Sequence, residues 1–167
     1  LPSRSRAWTD ELLSAGHIVL HVDSFGPRGA GSACDQNTRD RPADPWVART
    51  SDAYAALDYL VARDDVDPRQ VFVLGWSDGG STVAGVVRPQ APGRREDGPR
   101  FKAAIAFYPG CFRPLAARGY QATMPLLILI GQDDDWTPAA PCVELARRST
   151  DARFPIETIT FAGAHHG

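Results

Sequence analysis

Val71-Phe72-Val73-Leu74-Gly75-Trp76-Ser77-Asp78-Gly79-Gly80 is the stretch on which the reading of this chain turns. Its first four residues are apolar, valine-rich and too few for a helix, so they predict a short buried strand. The run ends in Gly75-x-Ser77-x-Gly79 and gives way to small residues and a helical pattern from Ser81 to Val87, which Pro89 closes. Strand, sharp turn and helix in that order would hold a serine on a strained elbow with its hydroxyl projecting beyond the strand end. Such a turn needs room on either side of the serine, which Gly75 and Gly79 are expected to supply.

Working outward, 167 residues with 43% apolar content suffice for one hydrophobic core, so one domain is expected over 1–167. A net charge of -2 with both signs scattered offers no basic field for nucleic acid and no polybasic patch for a membrane surface. The longest apolar run, Leu126 to Ile130, falls far short of a membrane span, and no signal peptide is visible. Cys34, Cys111 and Cys142 are odd in number, lack a Cys-x-x-Cys pair and are too sparse for a disulfide framework, so buried or free thiols are expected ahead of one bridge plus a thiol. The chain begins at Leu1 and stops at Gly167 directly after paired histidines, which reads as an excerpt of a longer protein.

Along the chain, helical and strand patterns alternate. Ser5 to Ala15 predicts an amphipathic helix stopped by Gly16, and His17 to Asp23 predicts a strand buried on both faces. His17 and His21 on that strand are open to a catalytic or a structural role. Residues 24–45 form a long Gly-, Pro- and Arg-rich loop, in which Arg28 is either a fork for a substrate carboxylate or a surface ion pair. Trp46 to Arg63 predicts a helix capped by Asp44-Pro45, with Val47, Tyr54, Leu57 and Val61 on its apolar face. Arg88 to Arg100 reads as an exposed excursion. Phe101 to Phe107, Leu126 to Ile130 and Ile156 to Phe161 are strand-like, and Pro141 to Arg148 is helical. Cys111 follows a strand end and is either a packed thiol or a site residue. The alternation implies an α/β fold, a doubly wound, mostly parallel sheet with helices on both faces.

Ligands of such sheets bind beyond the carboxyl ends of the strands. Three of those ends carry Ser77, the run Asp133-Asp134-Asp135 and the pair His165-His166. A serine hydroxyl is a weak nucleophile; it needs a base to take its proton and a carboxylate to orient that base. The order Ser, Asp, His is that of the α/β-hydrolases and differs from those of chymotrypsin and subtilisin. The acidic turn has no His or Cys at metal-ligand spacing, so neither a metal nor another cofactor is expected.

Asp23-Ser24-Phe25-Gly26-Pro27-Arg28-Gly29, Gly75-Trp76-Ser77-Asp78-Gly79-Gly80, Asp134-Asp135-Trp136-Thr137-Pro138 and Gly163-Ala164-His165-His166-Gly167 together resemble the dienelactone hydrolase family over essentially the whole chain. The resemblance implies an α/β-hydrolase fold and a catalytic triad. The family pattern Gly-x-x-Asp-x-x-x-Pro, met by Gly131 and Pro138, selects Asp134 as the acid, and the family's histidine motif selects His166. The resemblance also implies an oxyanion donor in the backbone N–H of Asp78, and it makes Phe25, Arg28 and Trp76 candidates for substrate contact. The founding members carry cysteine where this chain has Ser77, which points to general carboxylic ester or lactone hydrolysis. A family strand and loop ahead of the first helix, with the second oxyanion donor, and a helix after the histidine are absent from 1–167. The chain is therefore expected to be incomplete at both ends and to fold and turn over poorly as it stands. The expected partner is a small ester or lactone, with no nucleic acid or membrane; oligomeric state and compartment are left open. A peptidase or an acetyl-xylan-type esterase on the same fold is the alternative, and a non-catalytic binding protein on that fold is the alternative from another class.

Overall fold

The computed structural model describes residues 3–29, 44–117, 119–149 and 153–167. Cys34 and residues 30–43 of the long loop lie outside them. Four strands, β1 (Phe72–Trp76), β2 (Ala103–Phe107), β3 (Leu126–Gly131) and β4 (Ile156–Phe161), pair in parallel in their sequence order. Parallel neighbours need a crossover, and α3 (Asp78–Val86), α4 (Phe112–Ala116) and α5 (Ala139–Arg148) supply one between each pair. Ahead of the sheet come α1 (Ser3–Ser14) and α2 (Pro45–Val61). At the start of α2, Asp44 accepts a hydrogen bond from the Trp46 N–H at 2.9 Å and Pro45 occupies the first turn, as that dipeptide predicts.

The period-two alternation of each strand decides which side chains build the core. Ala104 and Ala106 of β2 and Leu126, Ile128 and Ile130 of β3 are buried on the face where α3 packs on β1 and β2 and α5 on β3 and β4. Burying an Ile or Leu side chain there contributes about 1.5–3 kcal/mol. On the other face α1 lays Trp8 against the strand ends, 6.0 Å from Trp76 and 5.1 Å from Phe107 between ring centroids. Helices thus lie on both faces, although on the second α1 reaches the ends of β1 and β2 while Ile159 and Phe161 of β4 stay exposed. The carboxyl ends of all four strands open on one rim.

Three expectations are corrected. Residues 17–23 run extended but join no ladder among the described residues, and Ile18, Leu20 and Val22 are exposed. Their β-branched composition records a backbone preference, whereas sheet membership needs a hydrogen-bonding neighbour, and β1 pairs with β2 alone among the described residues. Val47 points outward, and α2 buries Ala48, Thr50, Ala53, Tyr54 and Leu57 instead. Cys111 and Cys142 are not free thiols; they form a disulfide, with Cα atoms 5.1 Å apart. Because β2 and β3 are neighbours, the chain leaving β2 at Cys111 meets the helix that follows β3. No spacing rule on three cysteines contains that proximity.

The bridge closes a loop across a sequence separation of 31. A loop of that size is worth about 3–4 kcal/mol in the chain-entropy account. Replacing both cysteines by alanine should therefore lower the melting temperature by roughly 7–15 °C for a protein of this size. The comparison is a thermal melt of both proteins without reductant and again after reduction, where the difference should close. An identical melt for both proteins under oxidising conditions would show that no bridge forms.

Candidate active site

Ser77 sits between β1 and α3 with φ 54° and ψ −116°, a conformation costly for a non-glycine residue. Two backbone bonds hold it there: its N–H donates to Phe107 O and its carbonyl accepts from Ser81 N–H, each at 2.9 Å. Close approach of strand to helix explains the glycines. A Cβ on Gly75 would lie 2.4 Å from Gly79 O, and one on Gly80 would lie 2.7 Å from Phe107 O. Gly79, expected to provide room, would meet only the Arg49 guanidinium at 3.3 Å. The tight neighbour on the helix side is Gly80.

Beyond the carboxyl ends of β1, β3 and β4, three side chains meet in a line. Ser77 Oγ is 2.8 Å from His166 Nε2, and His166 Nδ1 is 2.9 Å from Asp134 Oδ2. An ionised carboxylate only accepts, so the imidazole proton lies on Nδ1 and Nε2 is left to accept from the serine hydroxyl. Asp134 is buried, at 4% exposure. Burial opposes its ionisation, but the Thr137 N–H, the His166 bond and the Thr137 hydroxyl together hold its carboxyl below the usual range. Its Oδ1 accepts from the Trp136 and Thr137 N–H groups at 3.0 and 2.8 Å. Asp133 and Asp135 are exposed, and His165 turns outward to within 3.0 Å of Asp133 O. The structure thus brings together one member each of the acidic run and the histidine pair.

The Asp78 N–H opens α3 beside the Ser77 hydroxyl, and first-turn amides have no intrahelical acceptor. The Asp78 side chain is paired with Arg49. Arg49 also lies over the Phe25 ring, 5.6 Å from its centroid. Arg28 grips Asp52 bidentately at 2.7 and 2.8 Å and donates to Ser24 O, so the carboxylate in its fork is the protein's own. Trp76 stacks on Phe107 at 5.4 Å under α1. His21 Nε2 is 2.7 Å from Thr9 Oγ1, a structural contact to α1. Among the described residues no group of His, Cys, Asp and Glu is arranged to hold a metal ion.

Sequence reasoning passed over Thr137. Its hydroxyl lies 2.9 Å from Asp134 Oδ2, 3.0 Å from Tyr108 O and 3.2 Å from His166 Nδ1, so it joins the acid turn, the β2 exit and the base. The only signal was position, three residues after a candidate acid in a Thr-Pro turn. Tyr108, with φ 37°, makes a T-shaped ring contact with His166 at 4.8 Å, and Trp136 stacks on the imidazole at 5.2 Å.

Against known structures the chain resembles α/β serine hydrolases. An α/β serine hydrolase homologue from Coxiella burnetii matches with TM-score 0.56 at 20% identity, over 79% of this chain and 57% of that one. Esterase 2 of Thermogutta terrifontis, in a form phosphoramylated by tabun, matches with TM-score 0.62 at 23% identity, over 80% and 60%. A puromycin-hydrolyzing peptidase of Mycobacterium tuberculosis matches with TM-score 0.57 at 22% identity, over 73% and 22%. At these identities the likeness establishes the fold, which is the α/β-hydrolase fold, and the chain spans less than two thirds of the length of each of the three. Comparison with curated proteins returned no match. The sequence pattern of the dienelactone hydrolase family matches residues 3–167, and the chain belongs to that family.

Proposed function

We propose that the protein is a serine hydrolase of carboxylic esters or lactones, with Ser77 as nucleophile, His166 as base and Asp134 as the group that orients it. The observation that carries this reading is the unbroken line of hydrogen bonds, 2.8 and 2.9 Å, from the Ser77 hydroxyl through His166 to buried Asp134. Ser77 Oγ attacks the carbonyl carbon while its proton passes to His166 Nε2, and Asp134 stabilises the imidazolium that results. The Asp78 N–H donates to the oxyanion of the tetrahedral intermediate. His166 then returns the proton to the departing alkoxide oxygen as the ester bond breaks, leaving an acyl group on Ser77. Water, deprotonated by the same imidazole, releases the acid and restores the serine. A second reading, peptide or amide hydrolysis by the same relay, has in its favour the likeness to the puromycin-hydrolyzing peptidase.

Treatment with a fluorophosphonate tests the proposal, because an activated serine displaces fluoride and an ordinary one does not. Intact mass should rise by one phosphonyl group, located by peptide mapping on Ser77. No adduct on Ser77 would overturn the reading and favour a non-catalytic binding protein. Parallel assays on esters, lactones and peptides separate the ester reading from the peptidase one.

Thr137 enters this reading as a positioning residue. Thr137→Val keeps the shape and removes a hydroxyl bonded to a carboxylate, an interaction worth about 1.5–3 kcal/mol, so kcat should fall roughly ten- to a hundredfold with KM little changed. Thr137→Ser should restore most of it. Full activity in Thr137→Val would show that the hydroxyl does not position the pair.

A further inference from the structure

We propose that Trp136 is the recognition residue for the alcohol portion of the substrate and that the site prefers esters of flat, aromatic alcohols; this rests on the Ser77–His166 relay proposed above. Trp136 is 77% exposed, more than any other large apolar residue among those described. Tryptophan normally buries most of its surface, and leaving it in water forgoes the stabilisation that burial gives. Looseness does not explain the exposure. The Trp136 N–H is bonded to Asp134 Oδ1 at 3.0 Å, and the next residue is anchored through both its N–H and its hydroxyl. One face of the indole lies on the His166 imidazole, with 5.2 Å between centroids and 21° between planes, so the ring is held in place with the rest of its surface in solvent.

The direction of the chemistry assigns the occupant. His166 Nε2, 2.8 Å from Ser77 Oγ, must deliver its proton to the leaving oxygen, so the first atoms of the alcohol lie beside the imidazole. The carbonyl oxygen turns the other way, to the Asp78 N–H, and carries the acyl group with it. Tyr108 and the imidazole are T-shaped, 71° between planes, so the two rings share no parallel face. Trp136 lies nearly parallel to the imidazole, and a planar substituent on the leaving oxygen can stack on the part of the indole that the imidazole leaves exposed. Aromatic stacking of this kind is worth about three- to tenfold in an equilibrium or rate ratio.

The test uses two pairs of esters. Benzyl acetate and cyclohexylmethyl acetate share an acyl group and differ in the flatness of the alcohol, while ethyl phenylacetate and ethyl cyclohexylacetate place the same difference on the acyl side. The natural protein should favour benzyl over cyclohexylmethyl acetate in kcat/KM by about three- to tenfold. Trp136→Leu should bring that ratio near one, Trp136→Phe should keep most of it, and neither should change the acyl-side ratio. Ratios are compared because any common loss from disturbing His166 cancels within a pair. An alcohol-side ratio unchanged in Trp136→Leu, or a change confined to the acyl-side pair, would overturn the proposal while leaving the hydrolase reading intact. Turnover that persists in Ser77→Ala would instead overturn the hydrolase reading and this inference with it, whereas no turnover of any of the four esters by a protein that still takes a fluorophosphonate on Ser77 would overturn this inference alone.

Discussion

Ser77→Ala is expected to lower kcat for ester hydrolysis by on the order of 10³- to 10⁶-fold and to leave the thermal melt nearly unchanged. The rate falls because, among the described residues, no other nucleophile stands within hydrogen-bond distance of His166 Nε2 on the line to Asp134. The fold survives because the elbow is fixed by backbone. Its bonds from Ser77 N to Phe107 O and from Ser81 N to Ser77 O, and the close passage of Gly75 and Gly80, do not involve the hydroxyl. Alanine meets the same steric cost at φ 54° that serine does, so backbone strain stays much as it was. Steady-state kinetics on an activated ester, run beside a thermal melt, make the comparison. Retention of more than about a tenth of the rate would move the nucleophile elsewhere.

Asp134→Asn should cost about 10⁴-fold in kcat, whereas Asp133→Asn and Asp135→Asn should stay within a few-fold of the natural protein. The buried carboxylate accepts four hydrogen bonds, two at Oδ1 from backbone N–H groups and two at Oδ2 from Thr137 and His166. An asparagine amide has one acceptor oxygen. Either its NH₂ faces the Trp136 and Thr137 N–H groups, or it faces His166 and turns the imidazole into the wrong tautomer. Asp133 and Asp135 are exposed and reach neither partner. The carboxyl of Asp134 is held below its ordinary value in the folded protein. The stability it contributes is therefore present above the unfolded-state value of about 3.9 and is lost as pH falls through the folded one. Acid unfolding of the asparagine variant should lack that component. Equal losses at Asp133 or Asp135 would shift the acid by one position.

Features that depend on a few adjacent residues were legible in the sequence. A run such as Leu126 to Ile130 is a buried strand because β-branched and apolar side chains fit a pleated surface, and it does form β3. Asp44-Pro45 caps a helix because one side chain reaches an amide two residues on. The placement of a serine, an acidic run and a histidine pair at strand ends was readable for the same reason, since parallel strands all point their carboxyl ends to one rim. What the sequence left undecided depends on neighbours distant in the chain. Residues 17–23 have the composition of a strand, but pairing needs a partner edge. Periodicity carried Val47 into the core, yet the packing of α2 on α3 rotated it out. Among Asp133, Asp134 and Asp135, local chemistry is identical, and family resemblance alone singled out the middle one. The acid turn buries that carboxylate at the base and leaves the other two in water. Thr137 beside Tyr108 O, Trp136 on His166 and the Cys111–Cys142 bridge arise likewise from segments separated by about 30 residues and joined only when β2, β3 and β4 lie side by side. Periodicity and propensity are properties of short windows, whereas burial and partnership are set by whatever the rest of the chain lays against them.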